Sequence, residues 1–459
     1  MIIAATLLSG AAERLRLPQV VLFLAMGLAL GPHGLGLIDL GLGAPVFQAI
    51  ATLGLVLVLF TDAVSVDPDE LRTHRRLALL LLGPGALATA AVVGLTGWAL
   101  LGLAPASAAI LGAALASTDP VLLRGLLKRS DVPRAARHAL GIESGLNDLV
   151  LLPVVLVGIA ILTPRWAAGE ESAWVPRALE LFVLGPGAGA LVGAAGVRML
   201  VVVRRRLGMR RDYESLYAIG LALVAYAAAE ALGGSGFLAA AAAGITIAIT
   251  DAELCDCFLD FGQAAAEVFL LFTFVALGSS LIWTGLEVVT WRTLAFAAVA
   301  LGARSAVLAV ALVPLHLDRP SRQLIVWSGP RGLSTLLLVL LPVFAGTPGG
   351  AQLFAVAACV VLLSVILHGG AMALLPGAAG EAGPPASAHR SAERITIAEL
   401  RALLAGPDPV RVVDVRTERT YRRSPTQAAG AIRLPPEAPA ERAAELALPR
   451  NDWLVAYCT

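Results

Sequence analysis

Charge is what this sequence has least of. Asp, Glu, Lys and Arg make up 15% of its 459 residues and leave a net charge of +1, where soluble domains carry about a quarter. With no long basic run, recognition of nucleic acid is excluded, and so is a charge-rich disordered chain. Aromatic residues are sparse at 5%. The four cysteines, at 255, 257, 359 and 458, make no secreted disulfide framework, and Cys255-Asp256-Cys257 lacks the spacing of a metal finger. What is there is apolar: 58% hydrophobic residues and 46 glycines set among Ala, Leu and Val, with a mean hydropathy of +0.81. Small residues let helix backbones approach closely in a bilayer. The expected class is an all-α polytopic membrane protein.

A hydrocarbon core of about 30 Å takes roughly 20 apolar residues per helix. On that ruler, spans are predicted near 17–37, 46–64, 77–104, 106–124, 139–163, 178–203, 215–232, 235–250, 261–283, 293–315, 323–346 and 352–375. Met1–Leu8 is apolar but too short to cross alone, and it lacks the basic start of a signal peptide. It reads as the remainder of a first span and brings the count to about thirteen. Basic residues gather in loops on the cytoplasmic side. Here seventeen fall in one set of alternate loops, among them Arg72, Arg75, Arg76 and Arg204–Arg206, against Arg165, Arg177 and Arg292 in the other. That bias fits thirteen spans and a cytoplasmic C-terminus in the cell (inner) membrane; the acidic loop 251–260 departs from it.

Composition divides the chain into a transmembrane domain over 1–376, a Pro/Gly/Ala-rich linker over 377–391 and a soluble tail over 392–459. In the tail a helix is expected over Ile397–Leu404 and a strand over Val410–Val415. A second strand (Ala431–Leu434), a helix (Ala438–Leu446) and a third strand (Trp453–Tyr457) follow. Alternating strands and helices argue a partial α/β unit.

Ionisable groups inside a membrane are costly and mark functional positions. Asp119 stands in Ser117-Thr118-Asp119-Pro120, where proline removes a helical hydrogen bond and opens the backbone to nearby side-chain oxygens. Such breaks survive only where protein or a cavity surrounds them. The next span carries Glu143-Ser144-Gly145-Leu146-Asn147-Asp148. Residues four apart share a helix face, so Glu143 with Asn147 and Ser144 with Asp148 form two adjacent polar stripes. Hard oxygen groups of this kind suit a small hard cation or a proton. Arg304 lies in mid-span, with Glu143 as its expected partner, and Arg331 lies in Ser328-Gly329-Pro330-Arg331-Gly332, a second break. Interrupted spans in the two halves of a chain point to a transport site at the bilayer midplane. Asp62, Glu230 and Glu267 lie nearer span ends. Of these only Asp62 is kept as a possible further ligand.

These segments resemble the monovalent cation:proton antiporter family, and within it the electroneutral sodium/proton exchanger branch. The likeness runs from about residue 13 to 375. It rests on Leu15-Arg16-Leu17-Pro18, Gly31-Pro32-His33-Gly34-Leu35, Thr118-Asp119-Pro120, Glu143–Asp148, Gly234–Ala239 and Pro330-Arg331-Gly332. It implies thirteen helices with inverted repeats and two broken crossing helices, a homodimer, and exchange of Na+ (or Li+ or K+) for H+ with no cofactor. By the same resemblance Asp148 is the essential carboxylate that takes cation or proton. Asp119, Thr118 and Ser144 are its companions, and Asn147 marks the electroneutral branch. Glu143 and Arg304 form a structural ion pair, Arg331 compensates charge at the second broken helix, and Asp62 stands where relatives often carry glutamate. The implied partners are the cation, the proton, the lipid bilayer and a second copy of the chain, with no nucleic acid.

The tail resembles the first part of a rhodanese-like domain, through Val412-Val413-Asp414-Val415-Arg416, Gly430–Pro435 and Val455-Ala456-Tyr457-Cys458. By that resemblance Cys458 occupies the sulfur-accepting position, on a loop that stops too early to cradle a persulfide. The expected function is secondary transport rather than enzymatic catalysis. The alternative is a membrane-anchored sulfurtransferase or redox/sulfide sensor using Cys458. A potassium-efflux channel-like relative is disfavoured, because Asn147 precedes Asp148 and no nucleotide-binding glycine fingerprint follows.

Overall fold

The computed structural model describes residues 19–66, 68–119, 123, 132–163, 174–207, 211–250, 268–269, 271–315, 317–369, 397–404, 409–416, 418–423, 426–435, 439–449 and 453–457. Up to residue 369 the described elements are all helical, as apolar runs without β-type alternation dictate. The main helices, in chain order, begin with α1 (Gln19–Leu30), α2 (Pro45–Ser65), α3 (Arg75–Leu101), α4 (Pro105–Ala116), α5 (Arg134–Leu162) and α6 (Val175–Arg204). After them come α7 (Arg211–Ala231), α8 (Gly236–Thr250), α9 (Trp291–Ala311), α10 (Arg319–Trp327), α11 (Leu333–Phe344) and α12 (Gly350–His368). Among the described residues six helices are long and apolar enough to cross a membrane, and five more are apolar but shorter. The short ones include α4, which ends at one predicted break, and α11, which starts just after the other. Met1–Leu8, residues 261–267 and 270 of the expected 261–283 span, and Cys255, Cys257 and Cys458 lie outside the described residues.

Two buried clusters organise the helices. Residues of α3, α4, α5, α9, α11 and α12, such as Val93, Ile110, Leu151, Phe296, Leu336 and Phe354, pack into the larger one, together with parts of α1 and α2. The far end of α2 joins α6, α7 and α8 around Phe60, Val197, Ala222 and Ala243. Small residues set the spacing. A Cβ on Gly112 of α4 would run into the Ala90 carbonyl and Gly94 of α3, and one on Gly189 of α6 into the Ala239 backbone of α8. Pro84 is absorbed by a π-turn over Leu81–Leu87 within α3.

The tail holds α13 (Ile397–Leu404), β1 (Val410–Asp414), α14 (Glu418–Arg423), β2 (Ile432–Arg433), α15 (Pro439–Glu445) and β3 (Trp453–Tyr457). The strands form a parallel sheet in the order β2-β1-β3, with Val413 opposite Ile432 and Val412 opposite Val455. The expected strands and helices are there within two residues at each end, and α14 is one the sequence does not announce. At the end of β1 the Arg416 guanidinium clasps the buried Asp414 carboxylate, with Nη2 at 2.6 Å, while the Tyr457 hydroxyl donates from 2.9 Å. Burial pushes the Asp414 carboxyl up, but these bonds outweigh it and hold the group below the ordinary carboxylate range.

Two outcomes are expected. Gly112→Ala should cost about 1–3 kcal/mol by overpacking and lower the melting midpoint in detergent by several degrees. Gly220→Ala, whose Cβ meets nothing within 4 Å, should leave the midpoint unchanged. In the tail, a lowered folded-state value means that the Asp414 contribution is present above the unfolded pKa of about 3.9 and is lost as pH falls through the folded one. Hydrogen-exchange protection of β1 in the full chain should therefore hold down to about pH 4 and fall below it, and Asp414→Asn should flatten that dependence.

Candidate functional site

A helix that stops inside a membrane strands up to four carbonyls or four N–H groups, and no water is there to take them. Here α4 stops at Ala116, α10 stops at Trp327 and α11 starts at Leu333. Ser117 leaves α4 in an extended conformation (φ −60°, ψ 138°). The two breaks then close each other. Arg331 Nη1 donates to the carbonyls of Ala116 and Ser117, both at 2.9 Å. The Asp119 N–H donates to the Pro330 carbonyl at 3.0 Å, and the Leu333 N–H donates to Asp119 Oδ2 at 2.7 Å. A Cβ on Gly332 would collide with that carboxylate, so the approach requires glycine there.

The middle of α5 lies against this crossing. Ser117 Oγ donates to Asp148 Oδ1 at 2.5 Å. Asn147 Nδ2 donates to the Ala116 carbonyl at 3.2 Å and, more loosely, to Thr118 Oγ1 at 3.5 Å. Asp148 is 3% exposed, Asn147 and Asp119 1%. Ser334, in the first turn of α11, also stands against the Asp148 carboxyl, and Asp119 is close enough for the two carboxyl groups to repel. Among the described residues Asp148 Oδ2, Asn147 Oδ1, Thr335 Oγ1 and Thr61 Oγ1 are buried without a hydrogen-bond partner, as are Arg331 Nε and Nη2. Each such group costs about 1–3 kcal/mol. The open oxygen of Asp148 and that of the adjoining Asn147 are oxygen groups of the kind that a small cation or a proton can complete.

Earlier on α5 stands Glu143, whose carboxylate is held by Arg304 through Nε and Nη2, both at 2.6 Å. Arg304 Nη1 and Ser305 Oγ reach the Val326 carbonyl at 3.2 and 2.9 Å, so this pair also closes the end of α10. Ser144 is buried and returns its hydroxyl to the Gly141 carbonyl at 3.3 Å. Asp62 is half-buried on α2, and its carbonyl lies 3.9 Å from where a Cβ of Gly145 would stand. Glu230 takes the N–H of Gly236 at the start of α8.

The structure thus brings Asp148, Asp119, Thr118, Asn147 and Arg331 together and joins Glu143 to Arg304. The Ser144 hydroxyl turns back to the backbone of its own helix, and the Asp62 carbonyl faces Gly145. Cys458 and Pro120 lie outside the described residues. Ser117, the direct partner of Asp148, is one the sequence does not single out over Thr118, since nothing in the chain says which hydroxyl of a break turns inward. Ser364 of α12 is another: its hydroxyl accepts the Arg331 N–H at 2.8 Å and lies 3.2 Å from His368 Nδ1. The signal available is a lone hydroxyl in an apolar helix.

Arg304→Ala should destabilise the protein by about 3–5 kcal/mol, because it leaves Glu143 buried and unpaired. The double variant Glu143→Gln/Arg304→Gln should recover part of that loss. Melting in detergent over the full double-mutant cycle measures both, and an Arg304→Ala protein as stable as the wild type would remove the structural role.

Comparison with known proteins follows the same segments. The family described as "Sodium/hydrogen exchanger, transmembrane" matches residues 2–375. The K(+)/H(+) antiporter NhaP of Alkalimonas amylolytica is 29% identical over 372 residues, 80% of this chain and 63% of that protein. The Na(+)/H(+) antiporter NhaS2 of Synechocystis sp. is 29% identical over 247 residues, 54% of this chain and 43% of that protein. The chain therefore spans less than two thirds of the length of these relatives. The structure of the sodium proton antiporter MjNhaP1 from Methanocaldococcus jannaschii at pH 8 shares the fold, with a TM-score of 0.64 at 19% identity, over 81% of this chain and 94% of that one. By the extent of the family match, this chain belongs to the transmembrane sodium/hydrogen exchanger family.

Proposed function

We propose that the chain is a secondary transporter that exchanges a monovalent cation, Na+ in our reading, for H+ across the cell membrane by alternating access. One observation carries this: Asp148 is buried at the crossing of two broken helices with one oxygen fixed by Ser117 and the other without a partner among the described residues. A proton or a cation would each satisfy that oxygen, and neither can do so while the other is bound. Competition for one site becomes exchange if the loaded site can reorient and the empty charged one cannot.

Asp119, Thr118, Ser144 and Asn147 are proposed as further oxygen donors, with Asp62 as a possible additional one. Asn147 is neutral, so a single titrating carboxylate gives one proton for one cation and an electroneutral cycle. Glu143–Arg304 and Arg331 hold the frame. The same reading includes about thirteen spans with inverted repeats, a homodimer and a cytoplasmic C-terminus in the inner membrane. The relatives' names divide between potassium and sodium, so the assay must carry both ions. The α/β tail is proposed as the first part of a rhodanese-like domain without activity of its own. Sulfur transfer through Cys458 draws no support from relatives named as antiporters.

The test is proton flux in proteoliposomes under an imposed pH gradient, with Na+, Li+ and K+ added in turn. Cation-specific collapse of the gradient is expected, insensitive to a clamped membrane potential and reduced to background in Asp148→Asn. Flux retained in Asp148→Asn would remove that residue from its role.

A further inference from the structure

Away from the crossing, a cavity of about 440 Å³ opens where α3 begins. Arg72, His74, Arg75 and Arg76 line one side, and His138, in the second turn of α5, lines the other. The His74 and His138 rings stack across it, with centroids 5.5 Å apart and planes at 25°. Arg75 and Arg76 are exposed and make no ion pair among the described residues. Among the described residues, the charged side chains that line the cavity are those of Arg72, Arg75 and Arg76. The third wall is apolar, formed by Leu77 with Leu315 and Leu317 from the segment that leads into α10. Below lies a packed cluster that includes Leu81, Ala136, Leu312 and Ile325. That base keeps the walls apart.

We propose that this cavity binds a phosphoryl anion, supplied by the headgroup of an anionic phospholipid. Guanidinium groups match phosphate oxygens in paired hydrogen bonds. A soluble anion would account for the arginines alone; the lipid accounts for the leucine wall as well. The cavity opens where the apolar run of α3 starts, and Leu79 on the same helix is 66% exposed, as a side chain facing acyl chains would be. Clustered basic residues at the end of a span are the pattern that anionic headgroups recognise. The bound lipid touches three elements: the start of α3 and the start of α5, which carries Asp148, through its headgroup, and the entry to α10 through its apolar part. Lipid composition then acts on the frame of the crossing without touching it. The binding claim stands apart from the transport reading.

The experiment is native mass spectrometry of the purified full chain, titrated separately with phosphatidylglycerol, phosphatidylcholine and inorganic phosphate. Phosphatidylglycerol should be retained at least tenfold better than phosphatidylcholine. Arg75→Gln/Arg76→Gln should lower that preference by roughly thirtyfold or abolish it, the size expected for two charges near an anionic surface, while Arg75→Lys/Arg76→Lys keeps most of it. An unchanged melting midpoint shows that the variants are folded, and His138→Gln alone reads the same loss should the double variant misfold. Displacement of the lipid by millimolar phosphate supports the phosphoryl chemistry; phosphate binding without any lipid preference names the soluble source instead and overturns the lipid assignment. Equal retention of both lipids with no phosphate effect, or a preference untouched in the glutamine variant, overturns the site.

Discussion

Everything at the centre of this molecule follows from one constraint: backbone polar groups cannot be left open at membrane depth. Two breaks violate it, and each supplies what the other lacks. The carboxyl end of α4 carries partial negative charge, and Arg331 places a guanidinium on its last carbonyls. The amino end of α11 carries partial positive charge, and Asp119 places a carboxylate on its first N–H. Neither helix could stop where it does without the other, so the crossing is a single interlocked unit. Asp119 is therefore a tether as well as a candidate ligand, and a cation drawn to it would pull on both breaks at once.

The same logic places the second ion pair. Glu143 and Arg304 neutralise each other in apolar surroundings, and Arg304 gives a further donor to the Val326 carbonyl at the end of α10. Gly329 makes room for it, since a Cβ there would meet the guanidinium. Two arginines, Arg331 from the break before α11 and Arg304 from α9, thus terminate α4 and α10. Both are used for structure, which leaves the negative charge of Asp148 without a guanidinium of its own among the described residues.

Much of this is legible in the chain. Breaks at 117–119 and 328–332 follow from proline and glycine in apolar runs, and the Glu143–Arg304 pair follows from the cost of a lone charge in lipid. The tail strand Trp453–Tyr457 is where its β-branched and aromatic residues put it. What sequence does not supply is contact across breaks. Periodicity tells which residues share a face of one helix, but the crossing joins residues 31 and 214 positions apart. An extended segment has no helical phase to carry over, so Ser117 and Thr118 are equivalent on paper while only Ser117 meets Asp148. The helix Glu418–Arg423 goes unannounced because Glu-Arg-Thr-Tyr-Arg-Arg is short and has no apolar stripe.

The division of labour between the two aspartates is the last consequence. Asp119 is bound by a main-chain N–H at the start of a helix, a donor that cannot turn away without opening α11. Asp148 is bound by a serine hydroxyl, which can rotate and serve equally as donor to a carboxylate or as an oxygen ligand. A group that must exchange one positive occupant for another needs a partner that adapts to each. In the proposed cycle the chemistry belongs at Asp148 for that reason, and the frame belongs at Asp119. Asn147 completes the arrangement by fixing its amide nitrogen on the α4 carbonyl, which leaves a neutral oxygen, and not a second negative charge, buried beside Asp148 in the chain.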